Sequence, residues 1–260
     1  MDICIFCDNP ANSKEDMFPK WLLKRVKTGQ PMYRKRANRP VEVTPRSTVR
    51  IKCVCKTCNN EWMSQLESKC IPLIGSLLND FELWLDEEYQ SLLSAWAVKV
   101  AMINDAVESH ERFFTRTECE AFRLNRVIPF GLEVNAARYT GSSLDANGSD
   151  FTLTNPAGEL LAKGHVFHLL IGHLILEAVA LHPVVGYENA KFAYASMPGY
   201  WNESIIRIWQ PTKPQVKWPP ILSYGLGHGR LHYGWLRSRW KNPTGHIVTT
   251  KNPPVPKATQ

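Results

Sequence analysis

Two Cys-x-x-Cys pairs, Cys4–Cys7 and Cys55–Cys58, constrain this chain more than any other feature. Each pair turns two thiolates toward one point, and four thiolates satisfy a tetrahedral zinc ion. A redox Cys-x-x-Cys would need no partner pair. The pairs leave 47 residues between them, more than a minimal zinc ribbon needs, so the stapled loop has room for functional residues. The spacing therefore predicts one structural Zn2+ held by Cys4, Cys7, Cys55 and Cys58. Cys53 would share a strand face with Cys55 and is either an alternative ligand or packed. Cys70 and Cys119 read as ordinary buried thiols. Cysteines used this way suit a reducing compartment, so a cytoplasmic location is expected.

Charge singles out the same segment. Residues 1–69 hold fourteen Lys and Arg against seven Asp and Glu, whereas residues 70–260 hold seventeen of each. The whole net charge of +7 thus belongs to the cysteine-rich part. Such a concentration is either a solvated basic surface or the footprint of a polyanion partner, usually nucleic acid. On the second reading Lys20, Lys24, Arg25, Arg34, Lys35, Arg36 and Arg39 grip phosphates, with DNA favoured; contacts of this sort fix position rather than read sequence. No signal-peptide pattern opens the chain. The longest apolar run, Val166 to Leu181, is short for a span and carries His168, His173 and Glu177, so no membrane segment is expected.

At 260 residues with 44% hydrophobic content, the chain suits a small domain joined to a larger globular one. Residues 1–69 read as a loop-rich, metal-stapled unit. Within it Phe18–Val26 suggests a helical turn, Pro31–Arg46 an exposed loop or hairpin, Thr48–Cys55 a strand and Asn59–Lys69 a helix. Helices are expected over Ile71–Leu85, Glu87–Ser109 and Arg116–Asn125, the second carrying Leu92, Leu93, Trp96 and Val100 at helical spacing. Short strands separated by turn residues fill 127–240, including "PFGLEVNAARYTG", "FTLTN", "HVFHLLIGHLILEAVAL", "KFAYAS", "SIIRIWQP" and "RLHYGWLRSRW". Residues 241–260 read as a disordered tail. The order, helices before strands, implies an α+β fold with a mainly antiparallel second domain (70–240).

The stretches "CIFC", "SKEDMFPKWL" and "CVCKTCNNEWMSQLE" together resemble the HNH endonuclease superfamily in its zinc-stapled ββα-metal, treble-clef form. The likeness covers residues 3–69, about a quarter of the chain; a later "SAWAVK" and "WPP" match more weakly. It implies a ββα unit in which position 16 is the histidine that activates water and position 15 an acidic ligand of the catalytic metal. Asn59 or Asn60 falls where some members place the last metal-binding side chain. Here Asp16 stands at the base position and Glu61 replaces a glycine. Aspartate has a pKa near 4 against about 6.5 for histidine. As a base it forfeits much of the roughly 10²–10⁴-fold that general acid–base catalysis supplies, and a histidine at 16 would restore it. No histidine occurs before His110 to take its place. Glu15, Asp16 and Glu67 would nonetheless make an oxygen-rich site for Mg2+ or Mn2+. The expectation is a nucleic-acid-binding HNH-like protein, a weak or divergent metal-dependent endonuclease. The alternative is a catalytically inactive relative that binds another protein, a host factor if the source is a phage.

Other candidates have plainer readings. On a straight strand His165 and His173 share a face but lie roughly 26 Å apart at about 3.3 Å per residue, and His168 points away. Buried or turn-edge histidines account for them. Trp201, Trp209, Trp218, Trp235 and Trp240 could stack bases, but core packing is the simpler role. "GLGHGR" (225–230) lacks the Lys-Ser/Thr and the following helix of a phosphate loop.

Overall fold

The computed structural model describes residues 2–26, 32–34, 42–44, 50–108, 112–155, 157–184, 205–211, 213–221 and 247–250. It is a mixed α+β fold. A bridge between Ile3 and Pro10 closes the first cysteine knuckle. Strand β1 (Ser13–Asp16) then pairs antiparallel with β4 (Arg50–Val54). Between them lie α1 (Lys20–Leu23) and a hairpin of β2 (Met32–Arg34) and β3 (Glu42–Thr44). After β4, helix α2 (Lys56–Cys58), a π-helical turn (Asn59–Met63) and α3 (Ser64–Leu78) form one continuous run.

That run departs from the expected pair of helices. It passes through Pro72, losing one backbone hydrogen bond, and stops at Leu78 rather than Leu85. Leu83–Leu85 is instead strand β5, paired with β9 (Val216–Trp218). The partner strand comes from far along the sequence, so local periodicity gives no sign of it. The expected boundary at residues 69 and 70 falls inside α3, and one buried cluster continues from Cys4 to Trp218.

Helix α4 (Glu87–Glu108) is the centre of the molecule. Every residue from Leu93 to Asp105 is buried, so the helix has no solvent face over that stretch. It packs on α3, β4, β5 and the large sheet. Helix α5 (Arg116–Asn125) follows, opened by a Thr115–Glu118 capping box. Its Arg116 reaches back to the first knuckle, donating to the Cys4 carbonyl at 2.9 Å. No helix among the described residues is long and apolar enough to cross a membrane.

The large sheet is antiparallel throughout and is built on one hairpin, β6 (Leu132–Thr154) and β7 (Leu160–Pro183). The two strands expected within residues 129–155 are one, because the ladder with β7 runs through almost the whole span. Strands β8 (Ile205–Trp209) and β10 (Ile247–Thr250) pair with opposite ends of β6. The last of these lies within the expected tail. The expected strands at 191–196 and 230–240, the "GLGHGR" segment and residues 251–260 lie outside the described residues.

Register slips between Arg138 and Ser143, opposite Gly172. Gly172 has φ +55°, where a side chain would be strained. The slip exchanges the parity of β7, so that Phe167, Leu169 and Ile171 join Leu174, Leu176 and Ala178 in the core under α4. It also moves His173 to the face of His168, so it no longer shares one with His165. His168 Nε2 lies 2.6 Å from Glu177 Oε2, nine residues further on. A straight strand would separate those residues by about 30 Å. The hairpin therefore doubles back at Gly172.

Asp80, just past α3, fastens this bend. Its carboxylate accepts from Arg138 Nε at 2.8 Å and again from Nη2. The Arg138 hydrogen bonds hold the Asp80 pKa below its ordinary value. A depressed carboxylate stabilises fully above the unfolded aspartate pKa of about 3.9, and its contribution is lost as pH falls through the folded value. Urea unfolding should thus show wild type more stable than Arg138→Met at about pH 7, with the gap narrowing as pH falls below about 3.9. A gap that persists at low pH would refute this role of the pair.

Candidate metal cluster and acidic cleft

The four cysteines of the two knuckles converge. Their sulfurs all lie within 4.8 Å of one another, and all four residues are buried. Cys7 Sγ is 3.5 Å from Cys55 Sγ and 3.6 Å from Cys58 Sγ. Zinc–sulfur bonds of about 2.3 Å at tetrahedral angles put sulfurs roughly 3.8 Å apart. The cluster could therefore hold a metal such as zinc. The Cys58 amide donates to Cys55 Sγ at 3.3 Å, which fixes the second knuckle at the start of α2. A hydrogen bond with Cys58 brings the Cys4 thiol down to about 5, while its counterpart raises Cys58 and burial raises Cys7. Four thiolates this close ionise together only around a cation. Cys53 is outside the cluster, packed, with burial pushing its thiol up to about 12. Cys70 and Cys119 are likewise buried thiols, raised to about 12.

Beside the cluster an open cleft of about 330 Å³ is lined by Glu15, Asp16, Asn59, Asn60 and Glu67, with Lys14 and Lys20 among its other walls. The sequence-nominated side chains are thus brought together. Strand β1 supplies the two carboxylates on alternate faces, Glu15 turned inward and Asp16 toward the surface. The π-helical turn supplies Asn59 and Asn60. A turn of this kind inserts one extra residue and is frequent at functional sites. Asn59 is engaged, donating to Ser13 Oγ at 2.9 Å and tying the helix start to β1. Asn60 is exposed.

The carboxylates are not available as expected. Lys99, from the centre of α4, places its Nζ 3.0 Å from Glu15 Oε1 and 2.7 Å from Glu67 Oε1. Its side chain is 1% exposed. Burial alone would lower the Lys99 pKa, but the Glu15 and Glu67 carboxylates outweigh it and leave the pKa raised. Burial pushes Glu15 up, against the pull of Lys99. Asp16 pairs with its cross-strand neighbour Arg50, Oδ1 to Nε 2.7 Å. Three carboxylates facing two cations leave a single negative charge. A divalent ion would have to displace a buried lysine, and unpairing a buried charge costs about 3–5 kcal/mol.

Of the residues expected to bind phosphates, Lys20 stands on the cleft wall and Lys24 is exposed. Arg25 is exposed but lies against its own fold, over the Trp21 ring and beside Gly75 of α3. Arg34 is in β2; its side chain and residues Lys35, Arg36 and Arg39 lie outside the described set. Trp218 is fully buried, donating to the Leu77 carbonyl, and Trp209 packs on the core, so neither can stack bases. Lys99 was not among the residues read from the sequence as functional. Its signal is there: it is the one charged residue between Leu92 and Ile103. Comparison with family models, curated proteins and solved structures gives no match. The likeness to HNH nucleases rests on the motif residues.

Two outcomes are expected. Cys55→Ser should release the bound metal, seen by elemental analysis, and unfold the N-terminal unit, because a small loop-rich unit depends on its staple. Lys99→Met should lose about 3–5 kcal/mol in urea unfolding by leaving two carboxylates unpaired. Adding Glu15→Gln and Glu67→Gln should recover most of that loss; no recovery would mean Lys99 acts through packing.

Proposed function

We propose that this protein is an HNH-like nucleic-acid-binding protein, stapled by zinc, in which an internal lysine stands where the nuclease would hold its catalytic cation. The observation that carries the reading is Lys99 Nζ bridging Glu15 and Glu67 at the floor of the cleft. The cleft keeps the motif residues together yet offers a divalent ion no vacant pair of carboxylates. Asp16, the residue at the base position, is neutralised by Arg50. Binding is supported by the basic excess of residues 1–69 and by exposed Lys14, Lys20, Lys24, Lys52 and Lys56 around the cleft and β4. DNA is the favoured ligand. The sulfur spacing supports zinc as the stapling metal.

A protein partner is the second reading. Phe81 and Trp84, 61% and 57% exposed around β5, favour it. Salt separates the two, since phosphate contacts release counterions and weaken steeply with salt.

The test is fluorescence anisotropy with a labelled DNA duplex between about 50 and 200 mM salt, with a cleavage assay on the same preparation. Binding should fall steeply with salt, and each of Lys20→Glu, Arg34→Glu and Arg36→Glu should reduce the slope by about one or more. Wild type should not cut DNA with Mg2+ or Mn2+. Nor should Asp16→His, because Lys99 still holds Glu15. Robust metal-dependent cutting by wild type would overturn the reading, as would an absence of DNA binding at low salt.

A further inference from the structure

Away from the cleft, Asp105, Asp150 and His165 place ligand atoms within 4.8 Å of one another. Asp105 is on α4, while Asp150 and His165 are direct partners across β6 and β7. The site is assembled from the buried helix and the far arm of the doubled-back hairpin. His165 Nδ1 is 2.7 Å from Asp150 Oδ1, and Phe113 stacks on the imidazole. Asp105 accepts the amides of Phe113 and Phe114 at 3.1 Å each, which fixes its orientation.

An independent observation points into this cluster. Asn104 is fully buried, and neither end of its amide has a hydrogen-bond partner. His165 is 4% exposed, and its Nε2 also lacks one. Asn104 Oδ1 and His165 Nε2 both lie against Gly148 of β6. A Cβ built on Gly148 would lie 2.6 Å from Asn104 Oδ1 and 3.3 Å from His165 Nε2. Buried polar atoms are rarely left unmatched. Here they are orphaned beside two carboxylates, at a point where they approach the backbone more closely than any residue but glycine allows.

We propose that Asn104, Asp105, Asp150 and His165 bind a divalent cation, of the Mn2+ or Zn2+ class. Carboxylate and amide oxygens suit the harder divalent ions and imidazole the borderline ones, so the mixed set selects their overlap. Bound there, the ion fastens the end of α4 and the 113–114 segment to the hairpin arm. It stabilises the fold in proportion to its occupancy.

The test uses the full chain with its cysteine cluster loaded. Mn2+ is titrated and free Mn2+ followed by electron paramagnetic resonance; thiolates, being soft, compete poorly for this ion. One Mn2+ per chain should bind and raise the melting temperature. Gly148→Ala, whose added methyl presses on Asn104 Oδ1 and His165 Nε2 but keeps every donor, and His165→Gln should each weaken binding by at least roughly 10–100-fold and abolish the melting shift. Asn104→Asp, adding a charged donor, should tighten it. Circular dichroism of each variant establishes that it folds. Wild type that takes up neither Mn2+ nor Zn2+ beyond the cysteine cluster would overturn the proposal, leaving buried water as the occupant. So would binding that survives His165→Gln but disappears in Glu15→Gln, which would place the ion in the cleft.

Discussion

A helix with water on no side can turn its polar atoms only to internal partners, and α4 imposes that condition on the rest of the fold. Its buried stretch includes Lys99, Asn104 and Asp105, and its first turns bury Gln90. Gln90 donates to the Leu85 carbonyl and to the segment before β9. Lys99 draws in Glu15 from β1 and Glu67 from α3. Asp105 gathers two amides of the following segment. The N-terminal unit, α3 and the segment before β9 are each joined to α4 by such a contact. Apolar burial supplies the bulk of the stabilisation, but these polar atoms fix how the parts are placed around the helix.

The same condition bears on chemistry. An acidic cleft gains catalytic use when its carboxylates meet a metal and a water molecule. In this protein they meet a lysine first. The Coulombic need of Glu15 and Glu67 is met by a buried side-chain cation rather than by an exchangeable ion. Exposed Lys14 and Lys20 stand on the walls of the same cleft.

Much of the N-terminal unit was legible because its constraints are local. The cysteine pairs and the β-branched run before Cys55 identify their own roles, and Thr115 and Glu118 open α5 where periodicity placed it. The cleft was legible in membership: Glu15, Asp16, Asn59 and Asn60 do line one space. Its electrostatics were not, because Lys99 is 84 positions from Glu15 and only the packing of α4 brings them together. Likewise Leu83–Leu85 reads as the end of a helix until β9 arrives beside it. The slip opposite Gly172 carries no local signature either, and it decides which histidines share a face.

The π-helical turn at Asn59–Met63 has a mechanical consequence. One residue of an α-helix corresponds to about 100° of rotation. A turn that holds an extra residue therefore sets the phase of everything after it. Were the turn to tighten to α geometry, α3 would be rotated relative to the cysteine knuckle that starts the run. Glu67 would swing off Lys99, and Leu66, Cys70 and Leu73 would leave the core face. Asn59 and Asn60 thus occupy the point where two halves of the run are kept in phase: upstream the helix answers to the metal cluster, downstream to the buried helix beside it.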